Sequence, residues 1–257
     1  MSEVSFTLSG GFLIVVEGRI GTLGKLKFIL DTGMSRSAVD RRVAEKLQLP
    51  RYARQMFDFD KVVNVEGAVF PEVQVGPVRV ASVLMSVANL ADFSTLASHA
   101  DAVIGTDLLR LDNITIDYEA KRLLFRSPQG VVPGAPLNSD PALVTVELRV
   151  QGHPIRVLVD TGFPDILLFE DRVRRDIPEL RIENVSDTFS IAGRLSARRA
   201  TLSRAPLGMK GASLQVLLAQ GPPDSVMPGV DGLLGPAALK VKRIDINFSA
   251  KTVNWEK

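Results

Sequence analysis

Leu26-Lys27-Phe28-Ile29-Leu30-Asp31-Thr32-Gly33 and Ile155-Arg156-Val157-Leu158-Val159-Asp160-Thr161-Gly162 are two versions of one message. Each is an apolar strand that ends in a carboxylate and then turns on a glycine. One Asp-Thr-Gly means little, since these residues punctuate many strand ends. Two of them, 129 residues apart (160 minus 31), point to an internal duplication that brings two carboxylates together in one chain.

Outward from these stretches the order of elements repeats. Leu143–Val150 matches the strand before Gly21, and Asp231–Leu239 echoes Asp101–Leu109. Ile246–Lys251 aligns with Ile116–Lys121 at an offset of 130 (246 minus 116). Residues 127–141 hold four prolines and two glycines, the composition of an extended, semi-rigid linker. The expected organisation is a first lobe at 1–126, the linker at 127–141 and a second lobe at 142–257.

Strands dominate the reading. Val4, Phe6 and Leu8 alternate on one arm of a hairpin, with Phe12–Val16 as the other. Lys61–Val65, Val69–Val75 and Val78–Leu84 are separate strands, divided by Gly67 and by Gly76-Pro77. One short helix per lobe is expected. The first is capped by Ser35 or Ser37 and carries Val39, Val43 and Leu47; the second spans Leu168–Asp176. The fold class is all-β.

Composition excludes several functions. Of 257 residues 46% are hydrophobic and 23% charged, and the net charge of +2 leaves no electrostatic footprint for nucleic acid. No apolar run reaches the roughly 18 residues of a membrane span. Cysteine is absent, and His99 and His153 stand far apart, so a Cys-based zinc site or a Ser-His-Asp triad has no basis. Gly18, Gly21 and Gly24 have the wrong spacing for a dinucleotide fingerprint. No signal peptide is visible, so the chain as written is expected to be soluble and cytoplasmic, and periplasmic or secreted if a leader was trimmed.

The two triplets, each followed downstream by an apolar-apolar-Gly signature (Val103-Ile104-Gly105 and Leu233-Leu234-Gly235), resemble the aspartic protease superfamily. The chain is most similar in pattern to retropepsin-like bacterial aspartyl proteases, with both lobes on one chain as in pepsin-like enzymes. The resemblance implies two retropepsin-like β-barrel lobes related by a pseudo-two-fold axis. It implies Asp31 and Asp160 as a catalytic dyad, with Thr32 and Thr161 hydrogen-bonding across the lobe interface. Gly33 and Gly162 would let backbone pass close to the carboxylates, and Gly105 and Gly235 would pack behind the acid loops. Met34, Ser35 and Phe163 are cleft candidates. A flap is expected at Val65-Glu66-Gly67, with a second near Gly193. The implied substrate is a peptide or protein with apolar side chains near the scissile bond. No metal and no cofactor is implied, and a monomer is sufficient for the site.

The chemistry explains the layout. Two carboxylates within hydrogen-bond reach cannot both ionise, so they share a proton and supply acid and base together. One departure stands out: the residue after the glycine is usually small or hydroxylic in this superfamily, and here it is Met34 or Phe163, the latter followed by Pro164. Neither side chain can donate to a carboxylate, so the shared proton is expected to persist to higher pH. Phe163 is also expected to narrow the cleft. Two other functions fit the same residues: a catalytically silent peptide-binding module, and a structural or assembly protein.

Overall fold

The computed structural model describes residues 2–58, 61–93, 99–125, 135–136, 143–150, 152–174, 177, 181–190, 193–202 and 214–256. The chain begins with β1 (Ser2–Ser9), β2 (Leu13–Ile20), β3 (Leu23–Leu30), β4 (Ala38–Asp40), helix α1 (Arg41–Lys46), β5 (Tyr52–Asp58) and β6 (Lys61–Val75). β7 (Val78–Ala88), α2 (Leu90–Phe93), β8 (Ala102–Ile104), α3 (Thr106–Leu109), β9 (Ile114–Asp117) and β10 (Arg122–Phe125) follow. Next come β11 (Ala135–Pro136), β12 (Thr145–Val150), β13 (His153–Val159), β14 (Ile166–Phe169), α4 (Glu170–Val173), β15 (Arg181–Ser190) and β16 (Gly193–Leu202). The chain closes with β17 (Leu214–Ala219), β18 (Gly232–Leu234), a 3-10 turn at Pro236–Leu239, β19 (Arg243–Asn247) and β20 (Thr252–Glu256). The fold is all-β.

One pairing order occurs twice. β3 runs parallel to β8, β8 antiparallel to β4 and β4 parallel to β7, with β6 and β5 completing the edge. β13 runs parallel to β18, β18 antiparallel to β14 and β14 parallel to β17, with β16 and β15 beyond. β8, β14 and β18 are short and apolar throughout because both their faces are covered. The aligned segments near residues 116 and 246 are neighbours in one sheet, where β19 pairs with β9 and sets Ile244 opposite Ile116. Of the expected linker only Ala135–Pro136 is described; it pairs with β20, and the other linker residues lie outside the described residues.

The helices differ from expectation. Ala38, Val39 and Asp40 are a strand inserted between β8 and β7, not the first turn of a helix. All three are buried, which a one-sided helical stripe does not allow. α1 starts only at Arg41, and its cap is Asp40 rather than Ser35 or Ser37: the Asp40 carboxylate accepts the Arg42 N–H at 3.0 Å. Leu168 and Phe169 likewise belong to β14, so α4 is a single turn from Glu170. Among the described residues, three short helices precede residue 126, not one. The separate strands expected on either side of Gly67 are one continuous strand, β6.

The central strands carry two apolar faces. Phe28, Leu30, Val39 and Ile104 face the main core, as do Val157, Val159, Leu168 and Leu234. The alternate residues Leu13, Ile29, Ala38 and Val103 form a second cluster with Phe12, Leu90 and Ala100. Leu158, Leu167, Leu217 and Leu233 form a third with Phe163 and Phe169. Strand alternation then places Asp31 on the face of Ile29, and Asp160 on that of Leu158.

Candidate active site

Each acid leaves its strand in the same way. The Asp31 N–H donates to the Ile104 carbonyl at 3.0 Å, and the Asp160 N–H to the Leu234 carbonyl at 3.0 Å. Sheet pairing thus reaches the acid before the chain turns. The turn closes on the carboxylate itself: the Gly33 N–H donates to Asp31 Oδ1 at 2.7 Å, and the Gly162 N–H to Asp160 Oδ1 at 2.8 Å.

The two turns are locked to each other. Thr32 Oγ1 donates to the Val159 carbonyl at 2.6 Å and accepts the Thr161 N–H at 3.1 Å. Thr161 Oγ1 donates to the Leu30 carbonyl at 2.8 Å and accepts the Thr32 N–H at 3.1 Å. Both threonines are buried, so every one of these groups would be left without water if its partner were removed. This lock sets the Asp160 carboxyl against Gly33 and the Asp31 carboxyl against Gly162, so that each acid packs on the opposite turn.

Burial is the main reason both carboxyls are held above the usual carboxylate range. For Asp31 it is partly offset by the hydrogen bond with Asp160 and by the Gly33 and Met34 N–H groups. Asp160 is raised further by the Asp31 charge and by their shared hydrogen bond, with only the Gly162 N–H acting the other way. One proton shared between two acids is the outcome such a pair favours.

Gly105 and Gly235 lie behind the turns. A methyl group on Gly105 would meet the Met34 carbonyl oxygen at 2.7 Å, and one on Gly235 the Phe163 carbonyl oxygen at 2.2 Å. Met34 is half-buried against the Ile29 cluster, and Ser35 is exposed. Phe163, expected to narrow a cleft, is instead buried. Its ring is 1% exposed, packed among Leu158, Leu167 and Leu233, because it emerges on the apolar face of β13 and β18.

Val65, Glu66 and Gly67 are not a hairpin tip. They lie mid-strand in β6: Gly67 pairs with both Tyr52 and Ser86, and Glu66 makes ion pairs with Arg41 at 3.0 Å and Arg51 at 3.1 Å. Gly67 is small for a different reason than a turn: the Tyr52 ring lies across it, 3.0 Å from where a Cβ would stand. The β5–β6 pairing instead continues to Asp58 opposite Lys61. Gly193 opens β16 opposite Ser190, at the end of the β15–β16 hairpin, and its neighbours 191–192 lie outside the described residues.

Sequence reasoning missed one support. Ser37, fully buried, donates its hydroxyl to Asp107 Oδ1 at 2.6 Å and accepts the Gly105 N–H at 3.0 Å. It ties the Asp31 turn to the glycine signature behind it. The available signal was a serine directly before the strand Ala38–Asp40, six residues after Asp31. Asp101 and Asp231 accept the N–H groups of Lys27 and Arg156 at 2.9 and 2.8 Å. Among the described residues, no group of three or more His, Cys, Asp or Glu is placed to hold a metal ion, and no helix is long and apolar enough to cross a membrane.

Residues 16–108 match the aspartyl protease family. The aspartyl protease match contains Asp31-Thr32-Gly33 and Val103-Ile104-Gly105, and it leaves Asp160 outside. It supports protease function in general and a peptide or protein as substrate. No curated protein matches the chain.

Proposed function

We propose that the chain is an aspartic endopeptidase in which Asp31 and Asp160 activate a water against the scissile carbonyl of an extended peptide. The reading divides the chain into lobes at 1–126 and 142–257, joined through 127–141, with the substrate bound between them. The observation that carries it is the placement of the two buried carboxyls, each packed against the glycine of the opposite turn.

In this mechanism the ionised member of the pair removes a proton from the water, and the resulting hydroxide adds to the carbonyl carbon. The protonated member donates to the carbonyl oxygen, giving a neutral gem-diol. Collapse breaks the C–N bond, with a proton passing to the leaving amine and the pair returning to its singly protonated state. Thr32 and Thr161 hold the two carboxyls in register, which matters because misplacement by about 1 Å costs on the order of 10²-fold in rate.

The alternative of a silent peptide-binding module drew its support from Phe163-Pro164. With the Phe163 ring packed into the apolar wall, nothing in that side chain separates the two acids. The deciding experiment is cleavage of a mixed peptide library by wild type and by Asp31→Asn, with and without a statine-type inhibitor. Inhibitor-sensitive cleavage that Asp31→Asn abolishes is expected. Cleavage surviving the substitution, or none in wild type from about pH 3 to 7, would overturn the proposal.

A further inference from the structure

We infer that Asp101 and Asp231 are positioning residues that set the register of the two acid-bearing strands, so that each acid is placed from the far end of its own strand. This inference rests on the protease reading of Asp31 and Asp160.

The strands beside each acid cannot set their own register. β8 is Ala102-Val103-Ile104 and β18 is Gly232-Leu233-Leu234, buried on both faces. Where both faces are apolar, a slip by one residue exchanges apolar for apolar, and the alternation that usually fixes register carries no signal. Each parallel ladder is also short, running from Phe28 to Leu30 on β3 and from Val157 to Val159 on β13. Yet register decides what stands behind the acid. A slip of one residue would bring Ile104 or Thr106 to the place of Gly105, where a methyl group already meets the Met34 carbonyl oxygen at 2.7 Å.

An aspartate closes the far end of both ladders in the same way. Lys27, four residues before Asp31, donates its N–H to Asp101 Oδ2 at 2.9 Å, and its carbonyl accepts the Asp101 N–H at 2.8 Å. Arg156, four residues before Asp160, donates to Asp231 Oδ2 at 2.8 Å, and its carbonyl accepts the Asp231 N–H at 2.6 Å. The next strand joins at the same residue: the Asp101 carbonyl accepts the Asp40 N–H at 2.9 Å, and the Asp231 carbonyl the Phe169 N–H at 2.8 Å. One residue upstream, Arg42 donates to the Ala100 carbonyl and Arg172 to the Val230 carbonyl. A slide of one residue is about 3.3 Å, too far for the clasp to stretch. Sliding β8 toward the acid carries the Asp101 carboxylate into the apolar ladder, where an unpaired charge is costly. Sliding it the other way sets Ala102, which has no acceptor in its side chain, beside the Lys27 N–H.

The test separates place from charge. Asp101→Asn and Asp231→Asn keep an acceptor oxygen in place and remove the charge. Asp101→Glu and Asp231→Glu keep the charge and move the oxygens by about 1.5 Å, one C–C bond. Peptide cleavage and amide hydrogen exchange are measured on these four and on Asp101→Ala and Asp231→Ala. The asparagine variants should stay within about threefold of wild type in kcat. The glutamate and alanine variants should lose at least about tenfold in kcat with KM within about twofold, the mark of a displaced catalytic group rather than of weaker binding. The N–H of the acid on the altered strand should exchange faster in the glutamate and alanine variants and not in the asparagine ones. If an alanine variant does not fold, the contrast between asparagine and glutamate decides. Asparagine as damaging as alanine, glutamate as active as wild type, or losses confined to KM would overturn the inference. If wild type cleaves no peptide, the protease reading falls and exchange alone decides: unchanged rates in the glutamate and alanine variants overturn the register assignment, and faster ones keep it.

Discussion

Gly33 stands so close to Asp160 that a methyl group on its Cα would lie 2.5 Å from the carboxyl carbon. Gly162 has the same relationship to Asp31, at 2.5 Å from Oδ2. Each glycine serves the acid of the opposite turn, so either substitution disturbs the pair rather than one residue. In Gly33→Ala the Asp160 carboxyl must move, and we expect kcat/KM to fall by about 10²-fold or more. Stability should fall by only about 1–3 kcal/mol, the usual range for overpacking. Gly24→Ala is the control, because a methyl there meets Arg19 no closer than 3.6 Å and should change neither quantity. Peptidase kinetics and thermal unfolding on both variants check this.

The raised carboxyls make stability depend on pH in an unusual direction. A folded-state pKa above the unfolded value means the native protein binds more protons than the unfolded chain between the two. Stability from these groups is therefore complete below the unfolded value of about 3.9 and declines as pH rises through the folded values. Asp160→Asn removes the group held higher and the repulsion it exerts on Asp31. We expect that variant to gain stability over wild type as pH rises from 4 to 7, and to be inactive throughout. Urea unfolding at several pH values reads the first effect. A wild-type pH–rate optimum below about 3.5 would contradict the retained proton, since it lies under the reference carboxylate value.

The fold was legible mainly where sequence neighbours decide the structure. The two Asp-Thr-Gly turns, Gly105 and Gly235 announce themselves because strand, acid and glycine are contiguous or in register. Ala38-Val39-Asp40 was misread because strand β4 is made by partners on β7 and β8, 48 and 65 residues away from Ala38 (86 minus 38, 103 minus 38). Gly67 was misread as a tip because a glycine that seats an aromatic ring looks the same in sequence as a glycine that turns. Phe163 was read by its position next to the acid, whereas its direction follows from which face of β13 it inherits. Ser37 was missed because its partners, Gly105 and Asp107, become neighbours only once β4 and β8 pair.

Asp40 supplies a second pH effect, of opposite sign. Burial alone would raise its carboxyl, but hydrogen bonds from the Arg42 side chain and from the Arg42 and Leu90 N–H groups hold it below the usual range. A depressed carboxyl contributes stability above the unfolded value of about 3.9, and that contribution is lost as pH falls through the folded one. Asp40→Ala removes the α1 cap and leaves the Leu90 N–H unpaired, so we expect it to cost about 1–3 kcal/mol at pH 6 to 7. The gap from wild type should narrow below about pH 4. Asp40→Asn, which keeps a capping oxygen, should recover part of the loss at neutral pH. Chemical unfolding of the three proteins at pH 3 and pH 7 checks the order.

The threonine lock predicts strong coupling between Thr32 and Thr161. Each hydroxyl both donates to a carbonyl of the opposite strand, Val159 or Leu30, and accepts the other threonine's N–H. Thr32→Val removes one hydroxyl and strands the Val159 carbonyl and the Thr161 N–H, at about 1–3 kcal/mol for each buried group left unpaired. The first substitution also loosens the turn that Thr161 needs in order to bond, so the second has less left to destroy. We expect the double variant to lose clearly less stability than the sum of the singles, with an interaction energy of about 1–3 kcal/mol. Activity should follow the same pattern, each single variant losing at least tenfold in kcat and the double little more than the worse single. Additive losses in both measurements would mean that the two turns act independently, and that the carboxyl pair is held together by something other than this lock.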